Sequence, residues 1–305
     1  MQPAMHPPDD SAVPPAADEA SAPRFQVHAW GLPARLFAIV LLAICGANIF
    51  FLSALSAAEI ITSEMMLPPG LVRRWVLVYS LVPLALVGAL RWLTAATVLV
   101  APGRLVLVLR RTRYEIPLAS IERLRPWWLP LPAPGLSLRM KSGRAFRYGL
   151  QVPAPVSLLE AIGQQDALGV RAGEHLFVRF VQARNELLRR RWYHLGFKYV
   201  LFTLVPSVIT FRLHQFITYG GPFGEYQTYG LGRYLRSFFA QWGDVAASLL
   251  LYAVCLRAVA ELLALGVTWI SPRRVRGIRR FTEIALRVFY YGGIPGLLAV
   301  RLLLM

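Results

Sequence analysis

Four ionisable residues stand at helical spacing inside apolar stretches of the sequence: Arg257 and Glu261, then Glu283 and Arg287. A charge in a hydrocarbon core is costly, so such residues either pair with each other or serve a path for ions, protons or substrate. If the runs 245–270 and 284–304 are neighbouring helices that cross a membrane in opposite directions, both pairs lie toward the same end at similar depth. One interhelical network is then within reach. Ion pairing that fixes helix register is one reading of it. Transport or proton transfer through Glu261 or Glu283 is the other.

Other chemistry finds little support. His194 and His214 are far enough apart that on one helix they would stand about 30 Å from each other, too far to share a metal. His6, His28 and His175 fall outside the apolar runs, so two histidines at one depth, as a haem needs, are not available. Cys45 and Cys255 both sit in apolar runs, which excludes a disulfide framework and a cysteine-based zinc site. The sequence contains no H-E-x-x-H, G-x-S-x-G or Walker lysine motif. The expectation is no enzyme, no metal and no cofactor.

Binding residues are easier to nominate. Trp127 and Trp128 precede Pro130, Pro132 and Pro134, which puts two large rings on a stiff loop. Such rings serve as interface anchors or binding contacts, or they plug the open end of a small barrel. A helix over 174–195 would carry Leu176, Phe177, Phe180, Val181, Leu187, Leu188 and Leu195 on one face, with Arg184 and Arg191 inside that stripe. On a membrane surface Arg184, Arg189, Arg190 and Arg191 could meet anionic headgroups, or their stems could simply cover apolar surface. Residues 231–242 repeat apolar side chains at helical intervals, as an interfacial helix does. The glycine-rich stretch Gly220 to Tyr226 before them is either a binding loop or a plain connection.

The elements that must position these residues follow from composition. Of 305 residues 56% are hydrophobic and only 16% charged, so much of the chain cannot face water. Five runs, about 36–58, 75–93, 197–217, 245–270 and 284–304, are long enough to cross a bilayer core of about 30 Å. Residues 1–29, rich in Pro and Ala with Asp9, Asp10, Asp18 and Glu19, are expected to be a disordered acidic tail without a secretory signal, the first run remaining as an anchor. Residues 101–196 hold 16 basic against 6 acidic side chains, and 271–280 hold five arginines and no acid. The loops 59–74 and 219–236 are nearly balanced. By the positive-inside rule the N-terminus and the 101–196 insert are cytoplasmic, and the C-terminus is outside. The net +17 is thus mostly topological, which removes the case for nucleic acid.

Between the second and third runs the pattern changes to strands. Residues 97–109 read as a hairpin around Pro102-Gly103, with 110–116 continuing as strand. Leu136, Leu138 and Met140 alternate with Ser137, Arg139 and Lys141, and a Ser142-Gly143 turn returns Phe146, Tyr148 and Leu150 on the apolar face. Residues 155–165 read as a helix with Val156, Leu158, Leu159 and Ile162 on one side.

The stretches TVLVAPGRLVLVLRRTRYEIPLASIERLRPWW, GLSLRMKSGRAFRYGL and PVSLLEAIG, which together span about 70 of the 305 residues, resemble the bacterial pleckstrin-homology-like domains that sit between membrane spans. Tyr114 to Leu118 leading into Ile121 is the most family-like piece. The resemblance implies a partner-docking or membrane-adjacent module rather than an enzyme. Eukaryotic relatives hold phosphoinositides with a basic loop between their first two strands, and Pro102-Gly103 is too short to be one.

The expected architecture is a membrane α-helical bundle of five transmembrane helices with an inserted small α+β PH-like cytoplasmic domain. Its parts are a tail (1–29), two spans (30–94), the PH-like domain (95–170), a basic amphipathic linker helix (171–196) and three spans (197–305). The expected function is an integral protein of the bacterial inner membrane, of scaffold or regulatory type. Its module and basic helix would dock a protein partner or the anionic surface of the lipid bilayer. The alternative is a small transporter or lipid-handling protein using the Arg257/Glu261 and Glu283/Arg287 charges. Five runs without a detectable internal repeat speak against an ordinary transporter.

Overall fold

The computed structural model describes residues 22–62, 68–128, 130–187, 196–293 and 295–296. Two compact units result, one built from residues up to Leu32 and Arg91–His175, the other from Pro33–Leu90 and Leu176 onward.

The first unit is a curled antiparallel sheet of seven strands: β1 (Arg24–Gly31), β2 (Ala95–Ala101), β3 (Arg104–Val108), β4 (Arg113–Pro117), β5 (Ile121–Pro126), β6 (Gly135–Met140) and β7 (Tyr148–Gln151). Their spatial order is β4-β3-β2-β1-β7-β6-β5. The place of β1 corrects the expected tail: residues 1–21 lie outside the described residues, but Arg24–Gly31 form the central strand. His28 stands opposite Ala95 on one side and Gln151 on the other. Val27, Ala29 and Trp30 are buried, and the Trp30 Nε1–H donates to Gln151 Oε1 at 2.6 Å. A buried indole N–H needs such an acceptor, so Gln151 is an interior residue for a polar reason.

The Pro102-Gly103 turn joins β2 to β3 as expected, with Gly103 at a φ of 69° that favours glycine. Residues 110–116 do not continue β3. Leu109 N–H donates to the Thr112 carbonyl at 2.8 Å, and the chain reverses into β4. Because β1 precedes β2, the sheet's first two strands are joined through residues 32–94, which contain two long apolar helical stretches, rather than by a loop. Leu136, Leu138 and Leu150 are buried, as the alternation predicts. Phe146 and Tyr148 are half-buried and meet Tyr114 of β4 in a triangle of rings 5.8 to 6.0 Å apart, which draws the sheet's distant strands together. Helix α4 (Pro155–Gly163) buries Leu158, Leu159 and Ile162. It is followed by α5 (Ala167–Gly173), whose Gly169 lies so close to α4 that a Cβ there would stand 2.3 Å from the Leu159 carbonyl oxygen.

The second unit is helical. It contains α1 (Leu32–Thr62), α2 (Pro69–Val76) and α3 (Val82–Leu93). These are followed by α6 (Leu176–Leu187), α7 (Phe202–Tyr219), α8 (Gly224–Tyr229), α9 (Leu231–Ile270) and α10 (Val275–Val288). Among the described residues four helical stretches, Leu32–Glu59, Gly70–Leu93, Phe197–Tyr219 and Leu231–Ile270, are long and apolar enough to cross a membrane. Of the fifth run, 284–304, the first ten residues are helical, and residues 294 and 297–304 lie outside the described residues. Wide turns at Leu77–Leu81 and Phe197–Leu201 precede Pro83 and Pro206, whose missing N–H and ring disturb the regular ladder there.

Polar side chains tie these helices together. Asn48 Nδ2 donates to Ser80 Oγ at 2.9 Å and to the Trp75 carbonyl at 3.2 Å. Gln241 donates to Thr210, and the Trp242 indole to Thr203, each at 3.0 Å. The expected interfacial helix over 231–242 is not separate. It is the start of α9, which runs 40 residues unbroken, roughly 60 Å. Likewise the expected basic link 271–280 is short, because the chain turns at Ser271–Arg274 and Arg276, Arg279 and Arg280 already belong to α10.

Candidate functional site

Three of the four charges of the apolar runs, Arg257, Glu261 and Glu283, form one cluster. Arg257 reaches Glu261 on its own helix at 2.7 Å and Glu283 of α10 at 2.8 Å. The second contact is close but poorly directed, since Glu283 Oε1 accepts no well-aligned hydrogen bond. The centre is Arg279, whose side chain has 0% exposure. Its two terminal nitrogens donate to the two oxygens of Glu261 at 2.8 and 3.1 Å, the planar fork that suits guanidinium to carboxylate. It stands 3.9 Å from Glu283, one turn along its own helix. The ring of Phe180 from α6 covers its other side, with Arg279 Cζ 5.0 Å from the centroid.

Sequence reasoning joined the right helices at the right depth but misassigned one member. Arg279 had been placed in the connecting link, yet α10 begins at Val275 and carries it inward, four residues before Glu283. Arg287 points elsewhere: it is exposed, and the ion pairs of Glu283 go to Arg257 and Arg279. The signal that could have found Arg279 is the Arg279/Glu283 spacing of four, the same as that of Arg257 and Glu261.

Helix α6 places Arg184 beside this cluster. Phe177, Phe180, Val181 and Ala183 pack against Ala264 and Val275, so the apolar face read as a lipid-facing stripe is covered by protein. Leu187 of that stripe is exposed instead. Arg184 is half-buried and near enough for its charge to act on Glu261, but its Nε is buried without a hydrogen-bond partner. Arg189, Arg190 and Arg191 lie outside the described residues. On α10 and its connection, Arg273, Arg274, Arg276 and Arg280 are exposed, followed by exposed Phe281, Ile284 and Val288.

The two tryptophans separate. Trp127 is 3% exposed, donates from Nε1 to Ser137 Oγ at 2.9 Å and lies over Gly135 and Gly149, whose missing side chains make room for its ring. Trp128 is 72% exposed. Beside β5, the last strand in the sheet order, Leu124, Leu168 and Ala172 floor a shallow groove rimmed by Glu122, Arg123, Arg171 and His175. Burial, then the nearby Arg125 charge, holds the His175 pKa below its ordinary value. His28 is lowered by burial and by the Arg91 charge, while its Nδ1–H donates to the Arg91 carbonyl at 2.9 Å.

At the far end of α7 lies a second buried carboxylate that sequence reasoning passed over. Glu225 of α8 accepts from Gln215 Nε2 at 2.8 Å and from Ser237 Oγ at 2.6 Å, and its own N–H donates to Gln215 Oε1 at 3.1 Å. One carboxylate thereby pins the glycine-rich segment between α7 and α9. The segment is a fastened connection, with Gly220 and Gly230 at positive φ marking its ends. Among the described residues no group of three or more His, Cys, Asp or Glu could hold a metal. Comparison of the chain with protein-family models, with curated proteins and with solved structures finds no match, so its reading rests on these residues alone.

Proposed function

We propose that the chain is a scaffold or regulatory protein of the bacterial inner membrane, with a PH-like sheet domain as a cytoplasmic docking platform for a protein partner. The carrying observation is the way the sheet joins the membrane helices. Strand β1 ends at Gly31 and α1 begins at Leu32, while α3 ends at Leu93 and β2 begins at Ala95. Two connections with almost no linker leave the domain little chain on which to move away from helices that span a membrane, which supports the platform reading. Trp92 and Arg110 support that position: the Arg110 guanidinium lies 4.0 Å over the exposed Trp92 ring, an arrangement suited to the headgroup layer.

An antiparallel sheet followed by the helix α4 fits the small α+β module expected from the strand pattern, and this supports the PH-like reading. The groove between β5 and α5 offers a partner segment an apolar floor of Leu124, Leu168 and Ala172 with a mixed polar rim of Glu122, Arg123, Arg171 and His175. In this reading the chain crosses the membrane five times, N-terminus in and C-terminus out, as its arginine distribution indicates. The transport alternative has weaker support, because both carboxylates that would carry it are held by arginines.

Photo-crosslinking amino acids at Arg123 and Arg171 of the full chain in native membranes test the platform. A discrete protein adduct from these positions, absent from Arg111 on the other side of the sheet order, is expected. Adducts with lipid alone, or equal protein adducts from all three, would overturn it.

A further inference from the structure

The charge cluster of α6, α9 and α10 is not neutral. Three guanidinium groups, Arg184, Arg257 and Arg279, face two carboxylates, Glu261 and Glu283. An arginine does not shed its proton in a protein, so the surplus charge cannot be relieved by titration. Among the described residues no other acidic side chain supplies the balance: Glu186 of the same helix is turned to Arg276. Two N–H groups remain unused, since the Nε atoms of Arg184 and of the fully buried Arg279 have no hydrogen-bond partner. A buried cationic donor without a partner is costly unless an anion completes it.

We infer that this cluster binds the phosphate of an anionic phospholipid headgroup, with Arg184 as the group that reaches it. The cluster is open on one side: the side chains of Arg257 and Glu261 keep 22% and 24% exposure. Its surroundings fit a lipid rather than a free ion. Exposed Arg274 and Arg280 raise the local positive potential. Exposed Leu262 and Leu263 on α9, with Phe281 on α10, offer apolar surface for acyl chains. A guanidinium binds a phosphodiester through paired N–H donors, which an ammonium cannot reproduce. The site lies wholly in the helical unit, so it stands or falls separately from the sheet-domain platform.

The test uses the full chain in neutral detergent, with phosphatidylglycerol, phosphatidylcholine of the same acyl chains, or inorganic phosphate added. Native mass spectrometry reads the bound lipid, and thermal unfolding reads its effect on the midpoint. Phosphatidylglycerol is expected to remain bound and raise the midpoint. R184Q should weaken that binding about tenfold or more, the loss expected for one charge-assisted hydrogen bond. R184K should restore it only in part, and R274Q should change it less than R184Q. Equal binding of phosphatidylcholine, or an unaltered response in R184Q, overturns the site. A shift reproduced by inorganic phosphate alone overturns the lipid as its occupant. Because the adduct is counted directly, a change in the variant's own stability does not obscure the result.

Discussion

Arg279 and Glu261, 18 residues apart on different helices, meet through two parallel hydrogen bonds of 2.8 and 3.1 Å. Arg279 is fully buried, so removing its partner leaves a charge that water cannot reach. Glu261→Gln and Arg279→Met should each lower unfolding stability in detergent by about 3 to 5 kcal/mol. Arg279→Lys should recover little, because an ammonium cannot fork to both oxygens. Arg287→Gln, on an exposed position, should stay within about 0.5 kcal/mol. If Arg279→Met and Arg287→Gln cost the same, the cluster does not hold the helices together.

Trp127 is expected to be a core residue of the sheet domain and Trp128 a surface one. Trp127→Ala should cost about 3 to 5 kcal/mol, and Trp128→Ala much less. Gly149→Ala gives a sharper test, since its Cβ would stand 2.7 Å from the Trp127 ring and Gly135→Ala would crowd the same ring at 2.8 Å. Each should cost about 1 to 3 kcal/mol by overpacking. In Trp127→Leu the Gly149→Ala penalty should shrink, as measured by a double-mutant cycle of unfolding midpoints.

These residues also mark where the sequence was legible. The hairpin around Gly103 and the alternation through Leu136 and Leu138 could be read, because turn chemistry and period-two burial are local signals. The strand β1 could not. Phe25 to Gly31 follow a Pro- and Ala-rich stretch and run straight into an apolar helix, and their strand partners are 67 or more residues away. Pairing on both sides, burial of Val27 and Ala29, and the bond of Trp30 to Gln151 across 121 residues explain why such a short segment is ordered. In the helical unit, apolar length announced five spans, four of which coincide with helices long and apolar enough to cross a membrane, but it did not show that α10 begins as early as Val275 and carries Arg279. Helical spacing could nominate Arg287 equally well, and only the packed geometry chose between them.

The sheet domain should lose stability on mild acidification. The His28 pKa is lowered in the folded chain by burial and by Arg91, and that of His175 by burial and by Arg125, both from a reference of 6.5. Above that value neither folded nor unfolded chain binds these protons. As the pH falls below it, the unfolded chain takes them up first, so stability is lost until the folded histidines also protonate. The effect is modest, because both rings are partly exposed and solvent screens the arginine charges. Unfolding midpoints between about pH 5 and 8 should decline toward acid in the wild type and flatten in His28→Gln/His175→Gln. An equal decline in the double variant would assign it to other groups.

Topology can be settled by cysteine labelling, using a background in which Cys45 and Cys255 are replaced by alanine. β1 and β2 are neighbours in one sheet, with Arg24 opposite Leu99, although α1 and α3 intervene between them. Strands that pair must occupy the same compartment, so the chain between them must cross the membrane an even number of times, and its two apolar stretches Leu32–Glu59 and Gly70–Leu93 provide two crossings. Gln26→Cys and Ser142→Cys, both at exposed positions, should therefore react from the same side of the membrane, the cytoplasmic side by the arginine distribution. Gln227→Cys, exposed on α8, should react from the other side, since one crossing over Phe197–Tyr219 separates it from the sheet. Opposite labelling of Gln26 and Ser142 would break the pairing of β1 with β2 and with it the double attachment of the platform. A reporter fused after Met305 completes the test: activity on the Gln227 side supports five crossings, and activity on the Ser142 side leaves four.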